Sequence, residues 1–149
     1  MKFHLRKATK ADARRIRRLI WRVRINPTHL DWRRFMIVES SRGEFAGCAQ
    51  VKPHPDGTRE LASLAVVPRF RKTGAARLLI EHFLGIARRP LYLMCRPQLG
   101  PFYERFGFRA VDSSRLPRYF RRIRAFSTAV GRIVREEGPL IMRIDEKQP

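Results

Sequence analysis

The feature of the sequence that most limits its possible folds is a strand-to-helix junction in the middle of the chain. An apolar run at 59–67 ends at Pro68, and a cationic loop, Arg69–Thr73, leads to an amphipathic pattern that begins at Gly74. The run is typical of a buried strand, and the spacing after Gly74 is that of a helix. The residues expected on the buried face of this helix are Leu78, Leu79, Phe83 and Ile86. A strand that leads into a helix in this way predicts an α/β chain in which helices pack on a sheet.

The patterns on both sides of the junction add further strands and helices. Turn-forming residues at 40–44 and 53–57 separate three apolar runs and predict an antiparallel meander. Before the junction, the predicted order is strand 3–8, a helix with Thr9 and Asp12 in a capping box, a short helical piece at 29–34, and strands 35–39, 45–52 and 59–67. After the helix from Gly74, the prediction continues with strand 91–95, a short helix at 101–106 and strand 108–111. It ends with a loop at 116–120, a helix through 123–134 and strand 140–144. The first helix is expected to bury Ile16, Leu19, Ile20 and Val23. Its arginines then face water.

Composition favours one folded domain. The chain has 149 residues, of which 44% are hydrophobic, and this length suits a single core. Neither a repeat nor a low-complexity linker divides it. We therefore predict one domain over 1–149, with an insertion-like basic segment at 112–138 before the last strand.

The charge of the chain is strongly positive. Its 33 Lys and Arg residues against 13 Asp and Glu residues give a net charge of +20. Such a surface attracts polyanions, and guanidinium groups suit phosphate, although an arginine bias can also reflect genome composition. Nucleic-acid binding therefore enters as a second hypothesis.

Several classes of protein are excluded by what the sequence lacks. Cys48 and Cys95 lie far apart without a CxxC motif or a Cys/His cluster, so we expect neither a disulfide framework nor a metal site. The chain has no apolar run long enough to span a membrane and no signal-peptide pattern. We expect a cytoplasmic protein that does not bind membranes.

The loop at 71–77 carries the clearest chemical signal. Its backbone amides open a helix, and the first N–H groups of a helix are unpaired and lie at the positive end of the helix dipole. The small residues at 74–76 would let an anion approach these amides, and Arg71, Lys72 and Arg77 add positive charge. We interpret this loop as a pyrophosphate-binding cradle.

Two motifs resemble those of a known family. Residues 71–76 resemble the R/Q-x-x-G-x-G/A acyl-CoA signature of the GCN5-related N-acetyltransferase (GNAT) superfamily, and 64–68 is similar to the strand end that precedes it. Residues 102–108 resemble a second hallmark of the family, F/L-Y-x-x-x-G-F. The resemblance covers 3–111 and the last strand. It implies an α/β (α+β) GNAT fold with a central mixed, mostly antiparallel sheet of about six to seven strands flanked by helices.

The resemblance also implies a function and a set of site residues. It implies an N-acetyltransferase that moves an acetyl group directly from acetyl-CoA, the only cofactor expected, to a primary amine. The implied cofactor-binding residues are Leu64, Ala65, Val66, Arg71, Lys72, Thr73, Gly74, Ala75, Ala76 and Arg77. Tyr103 matches the family's general acid for the leaving thiolate. Glu60 matches a position used as general base, and a water relay is the alternative.

Other possibilities stay open at this stage. Glu60, Ala62 and Leu64 would share one strand face if the alternation is regular, whereas Glu60 could instead be a surface carboxylate paired with an arginine. Cys95 is a less favoured nucleophile, since no histidine is near it in sequence. The acceptor amine could be acidic or phosphorylated. The rival functions are polyanion binding and non-catalytic CoA-dependent regulation, in a monomer or homodimer.

Overall fold

The structure, a computed structural model, describes residues 2–134 and 138–146, without the side chains of 127–134. Its helices and strands are β1 (Phe3–Lys7), α1 (Ala13–Arg22), β2 (Phe35–Ser40), β3 (Phe45–Pro53), β4 (Arg59–Val66), α2 (Ala75–Ile86), β5 (Leu91–Cys95), α3 (Gly100–Glu104), β6 (Arg109–Ala110), α4 (Arg118–Val134) and β7 (Leu140–Ile144). In the described part of the chain, no helix is long and apolar enough to cross a membrane.

The strands form one seven-stranded sheet in the order β1-β2-β3-β4-β5-β7-β6. The pairs β1–β2, β2–β3, β5–β7 and β6–β7 are antiparallel. β4 and β5 run parallel and meet at Glu60 and Tyr92. The predicted fold class, a mixed and mostly antiparallel sheet flanked by helices, is confirmed.

The chain divides into two compact units. The first comprises the chain up to Lys52 together with Leu61–Ala87, and the second comprises Pro53–Glu60 together with the chain from Arg88 onward. β4 contributes to both, because its first two residues lie in the second unit. The single domain over 1–149 stays a prediction.

The first unit has a core between α1 and β2. Ile16, Leu19 and Ile20 of α1 are buried with Phe35 and Ile37, as the helical spacing predicts. The predicted capping box also forms, at the start of a 3-10 turn, Lys10–Asp12, that leads into α1. The Asp12 carboxylate accepts a hydrogen bond from the Thr9 backbone N–H at 2.7 Å, which completes the capping box.

The predicted buried face of α2 is partly wrong. Leu79 and Phe83 are buried, but Ile80 is fully buried where Leu78 was expected, and Ile86 is 66% exposed. α2 ends at Ile86, and the next residue is extended. Ile86 therefore lies exposed on the last turn of α2. Periodicity alone does not reveal where a helix ends.

The second unit has a core built from β5, β7 and the start of α4. Tyr92, Phe120 and Ile141 are buried together with Leu116. The predicted loop at 116–120 is wrong in its second half, because α4 begins at Arg118 directly after Pro117, a residue well suited to a helix start. Phe126, which we predicted on the apolar face of this helix, is 71% exposed.

Two smaller differences concern the ends of elements. The helical piece predicted at 29–34 is reduced to a single 3-10 turn at Trp32–Arg34. The strand predicted at 108–111 is the two-residue β6. Strands β5 and β7 have the bounds that were predicted.

Candidate active site

The loop before α2 has a backbone that only certain residues tolerate. Gly74 lies at φ +95° as the N-cap of α2, and Lys72 lies at φ +61°. A Cβ atom at Gly74 would meet nothing within 4 Å, so the space above the helix end is open. The Thr73 hydroxyl donates a hydrogen bond to the Phe70 carbonyl and closes the loop. When residues just before a helix have a left-handed backbone conformation, successive N–H groups point toward one side. This arrangement binds anions.

The side chains around this loop are those that an anion requires. Arg71 and Lys72 are exposed, and Arg77 lies 3.9 Å from Glu81. Ala76 is half-buried, whereas Ala75 is 1% exposed and belongs to the core. The small size of Ala75 is therefore explained by packing, and the small size of Gly74 by its backbone conformation and the open space above it. Acetyl-CoA fits this loop, because its pyrophosphate is an anion.

A kink in β4 changes what can be read from strand alternation. Ser63 lies at φ +56° inside the strand. All four residues from Glu60 to Ser63 are buried, whereas Leu64 and Val66 are half-buried around buried Ala65. A left-handed residue interrupts the pleat, so the argument that placed Glu60 and Leu64 on one face does not hold across Ser63.

β3 approaches β4 closely at the same place. A Cβ atom on Gly47 would lie 2.6 Å from the Ala65 carbonyl oxygen. Only glycine fits at that position. The part of β4 that follows the kink therefore packs directly against β3 at Ala65 and Val66.

Glu60 in the second unit is a buried carboxylate with a histidine partner. His54 Nε2 lies 2.8 Å from Glu60 Oε1, and the two side chains are 6% and 5% exposed. This distance is that of a hydrogen bond, and which atom donates depends on the tautomer of the His54 ring. The alternative of a surface carboxylate paired with an arginine is wrong, because burial excludes water from both groups and the partner is His54.

The histidine of this pair is itself held by aromatic packing. The Tyr119 ring stacks on the His54 ring with centroids 3.5 Å apart, and Phe120 meets it edge-on at 5.9 Å. The Tyr119 backbone N–H donates to Asp56 Oδ2 at 2.9 Å. Burial, with the nearby negative charges of Glu60 and Asp56, raises the pKa of the Tyr119 phenol. The start of α4 therefore covers the Glu60–His54 pair with a neutral phenol ring.

Tyr103 on α3 is the other predicted catalytic side chain. It is 8% exposed and packs edge-on against Phe102 at 5.1 Å and Phe108 at 6.2 Å. Burial and the neighbouring Cys95 raise the pKa of the phenol, so it stays protonated at neutral pH. Gly107, at φ +102°, ends this motif, and a Cβ atom there would lie 3.1 Å from Ile144 Cδ1. The motif thus fixes a proton-carrying hydroxyl in an apolar surrounding.

Cys95, which was weighed on sequence as a nucleophile, has no support in the structure. Burial raises the pKa of Cys95 to about 11, so its sulfur is a neutral thiol and a poor nucleophile. In the described part of the chain, no group of three or more His, Cys, Asp and Glu side chains could hold a metal ion.

Sequence analysis missed His54 and Tyr119. His54 lies in the turn between β3 and β4, six residues before Glu60, and its carbonyl accepts from Gly57 N–H at 2.9 Å. The predicted hairpin was the signal that could have found it, since a hairpin brings residues on either side of its turn together. Nothing in the local sequence indicates that Tyr119 reaches this pair.

Comparisons with known proteins agree with the fold and the motifs. The model of the acetyltransferase (GNAT) family matches residues 5–108. Among solved structures, N-acetylglutamate synthase from Neisseria gonorrhoeae, complexed with coenzyme A and N-acetyl-glutamate, has a TM-score of 0.75 at 21% identity, over 99% of this chain and 36% of that chain. A Mycobacterium tuberculosis protein in complex with CoA has a TM-score of 0.73 at 17% identity, over 97% of this chain and 99% of that one.

A third structure extends the comparison to a chain of matching length. A GNAT-family acetyltransferase from Staphylococcus aureus has a TM-score of 0.73 at 11% identity, over 98% of this chain and 100% of that one. These low identities establish a common fold. The chain spans about a third of the length of the N-acetylglutamate synthase chain. A search of the curated proteins finds no match.

Proposed function

Because the chain belongs to the acetyltransferase (GNAT) family, we propose that it transfers an acetyl group from acetyl-CoA directly to a primary amine of a small molecule or protein. The observation that carries this proposal is the loop before α2, where left-handed Gly74 leaves open space above a helix N-terminus rimmed by Arg71 and Lys72. CoA in two of the structures with the same fold supports the choice of anion.

In this proposal two segments hold acetyl-CoA. The amides and cations of the loop, from Arg71 to Arg77, bind the pyrophosphate. The backbone of Leu64, Ala65 and Val66 pairs with the pantetheine arm, and the kink at Ser63 shapes that backbone.

Glu60 is the proposed base. The attacking amine must lose a proton, and Glu60 is a carboxylate that is buried and already engaged with a second proton-carrying group. His54 orients it through the 2.8 Å contact, and Tyr119 fixes the ring of His54. A water relay between the amine and Glu60 is compatible with the same roles.

Tyr103 is the proposed acid. Its raised pKa keeps the proton on the phenol, where it is available to the leaving thiolate. The hydroxyl makes no hydrogen bond to another described side chain, so the proton is not committed elsewhere.

The first test is binding of acetyl-CoA and of CoA, measured by isothermal titration calorimetry on nuclease-treated protein at moderate salt. Gly74→Glu places a carboxylate at the mouth of the cradle and should weaken binding at least about 30-fold. Gly43→Glu is a matched control, because Gly43 also lies at positive φ with nothing within 4 Å of its Cβ position. It carries the same strain and the same charge change, and should leave binding within about twofold.

An equal loss of acetyl-CoA binding in both variants, or no loss of binding in either, would contradict the assignment of this loop as the pyrophosphate-binding cradle. The activity itself is tested by thiol release from acetyl-CoA with a panel of primary amines that includes acidic and phosphorylated ones. Tight binding without release from any of them would instead support the non-catalytic regulatory reading.

A further inference from the structure

The outer face of α1 presents an exposed tryptophan among arginines. The Trp21 side chain is 68% exposed. It follows Arg17 by four residues and Arg18 by three, so these three side chains are neighbours on the helix surface. Arg14 and Arg22 lie one turn before and one turn after Arg18. All four arginines are exposed.

The fold forces this arrangement. Ile16, Leu19 and Ile20 are buried in the core of the first unit, so the opposite face of the helix must point to solvent. α1 contains no acidic residue. The preceding Asp12 is engaged by Arg6 at 2.8 Å and faces Arg15 at 3.7 Å.

The four arginines are not neutralised within the molecule. None of them forms an ion pair with a carboxylate in the described part of the chain. Arg14 and Arg18, and again Arg18 and Arg22, are like charges four residues apart, a spacing that destabilises a helix. The face therefore carries a cost in stability that a bound anion would offset.

The tryptophan differs from the other aromatic rings that lie near an arginine. Arg15 lies over Phe45 at 5.7 Å, Arg33 over Trp32 at 4.7 Å and Arg69 over Phe70 at 4.6 Å. Among the described residues, no guanidinium or aromatic ring covers Trp21. A large π-system is therefore mostly exposed beside four cations that have no carboxylate partner among the residues that the structure describes.

We propose that the outer face of α1 binds single-stranded nucleic acid, with Trp21 stacked on a base and Arg14, Arg17, Arg18 and Arg22 on the phosphates. Stacking on an aromatic ring beside a cationic track is the general chemistry of single-strand binding. This inference goes beyond the proposed acetyl transfer and does not depend on it.

Two other polyanions fit the face less well. An anionic membrane would require an apolar stripe on the outer face, and that face offers Trp21 alone because the apolar residues are in the core. An acidic peptide would engage the arginines, but it gives no reason for an open tryptophan ring at their centre.

The test is fluorescence anisotropy of a labelled 12-nucleotide oligo(dT) with the full chain, after nuclease treatment and a high-salt wash. Four phosphate contacts predict a slope of about −3 for the logarithm of the association constant against the logarithm of salt concentration. Trp21→Ala should weaken binding about ten-fold, whereas Trp21→Phe, which keeps a stacking ring, should stay within about threefold of the native protein. Trp21→Leu keeps an apolar side chain without a π-face and should behave like Trp21→Ala.

A charge-matched pair of variants separates this face from the net charge. Arg18→Gln should reduce the salt slope by about 0.7, whereas Arg42→Gln, which removes an exposed arginine from the β2–β3 turn, should leave it unchanged. All substituted side chains are exposed, so melting temperatures should stay within about 2 °C of the native value.

The proposal is overturned by any of three results. The first is no binding of oligo(dT) at about 10 μM protein in 100 mM salt. The second is an equal loss of binding in Arg18→Gln and Arg42→Gln. The third is binding of duplex DNA, a poly-glutamate peptide or phosphatidylserine vesicles that shows the same dependence on Trp21, because stacking on an unpaired base would then not be the cause.

Discussion

Two carboxylates in this protein are almost equally buried and yet have opposite kinds of partner. The Asp12 side chain, between β1 and α1, is 2% exposed, and the Glu60 side chain, at the start of β4, is 5% exposed. Asp12 accepts two hydrogen bonds from the Arg6 guanidinium, at 2.8 and 2.9 Å, and a third from the Thr9 backbone. Glu60 accepts from His54 alone among the described side chains.

The difference shows how a partner decides what a buried carboxylate can do. Arginine keeps its proton at any accessible pH, so it fixes the negative charge of Asp12 and lowers the pKa of that carboxyl to about 2. Histidine, unlike arginine, is not permanently charged, and its ring nitrogen can either donate or accept a hydrogen bond. The first carboxylate is therefore held in a charged pair that stabilises the fold, and the second lies in the pair on which the proposed proton transfer depends.

The largest expected effect is on stability at the first site. Asp12→Ala leaves Arg6 without its bidentate partner and the start of α1 without its cap, which should lower the free energy of unfolding by about 3 kcal/mol. Asp31→Ala, at a more exposed aspartate that also pairs with an arginine, should have a much smaller effect. Urea unfolding measures both. A similar loss of unfolding free energy in the two variants would show that burial and geometry at Asp12 add nothing to the stability of the fold.

The next effect is on turnover at the second site. Glu60→Gln keeps the size of the side chain and removes the proposed base, so it should lower turnover about 100-fold with the best amine of the panel. Glu39→Gln is the control, because Glu39 also faces a histidine, His4 at 3.0 Å, in a pair whose histidine is 54% exposed. That variant should keep turnover within about twofold. If the two variants behave alike, Glu60 is not the base.

The sequence predicts local features of both sites better than their long-range partners. The capping box of Thr9 and Asp12 spans three residues and was predicted correctly, because it depends on local spacing. The contact from Arg6 adds a β1 residue to that box, and helix-start signals carry no information about it. At Glu60, the β3–β4 hairpin was predicted, but the pairing with His54 depends on the path of the turn between the strands, which local spacing does not specify.

Errors in predicted burial occur where a helix ends or a chain segment is unsupported. Ile86 and Phe126 fit helical periodicity, yet both are exposed, because periodicity identifies a face but not whether anything packs on it. Phe120 was assigned to a loop and is fully buried, since Pro117 starts α4 earlier than the apolar spacing suggests.

A third buried acid extends the comparison, because it has no charged partner. Burial and Cys95 raise the pKa of Tyr103, whereas a charged partner lowers that of Asp12. Tyr103→Phe removes one hydroxyl and keeps the ring contacts, so turnover should fall about ten-fold with little change in acetyl-CoA affinity or unfolding free energy. Thiol-release kinetics and calorimetry measure these quantities. Unchanged turnover would assign Tyr103 to packing alone.

The smallest expected effect is the pH dependence of stability at the first carboxylate. The pKa of Asp12 is about 2 in the folded chain against an ordinary 3.8, so its ionised form stabilises the fold above about pH 4. That contribution is lost as the pH falls toward 2, because the unfolded chain then binds the proton first. From pH 5 to pH 3 the stability difference between the native chain and Asp12→Asn should shrink by about 1 kcal/mol in urea titrations. A difference that stays constant over this range would mean that Arg6 does not hold the charge of Asp12, and the contrast with Glu60 would then rest on geometry alone.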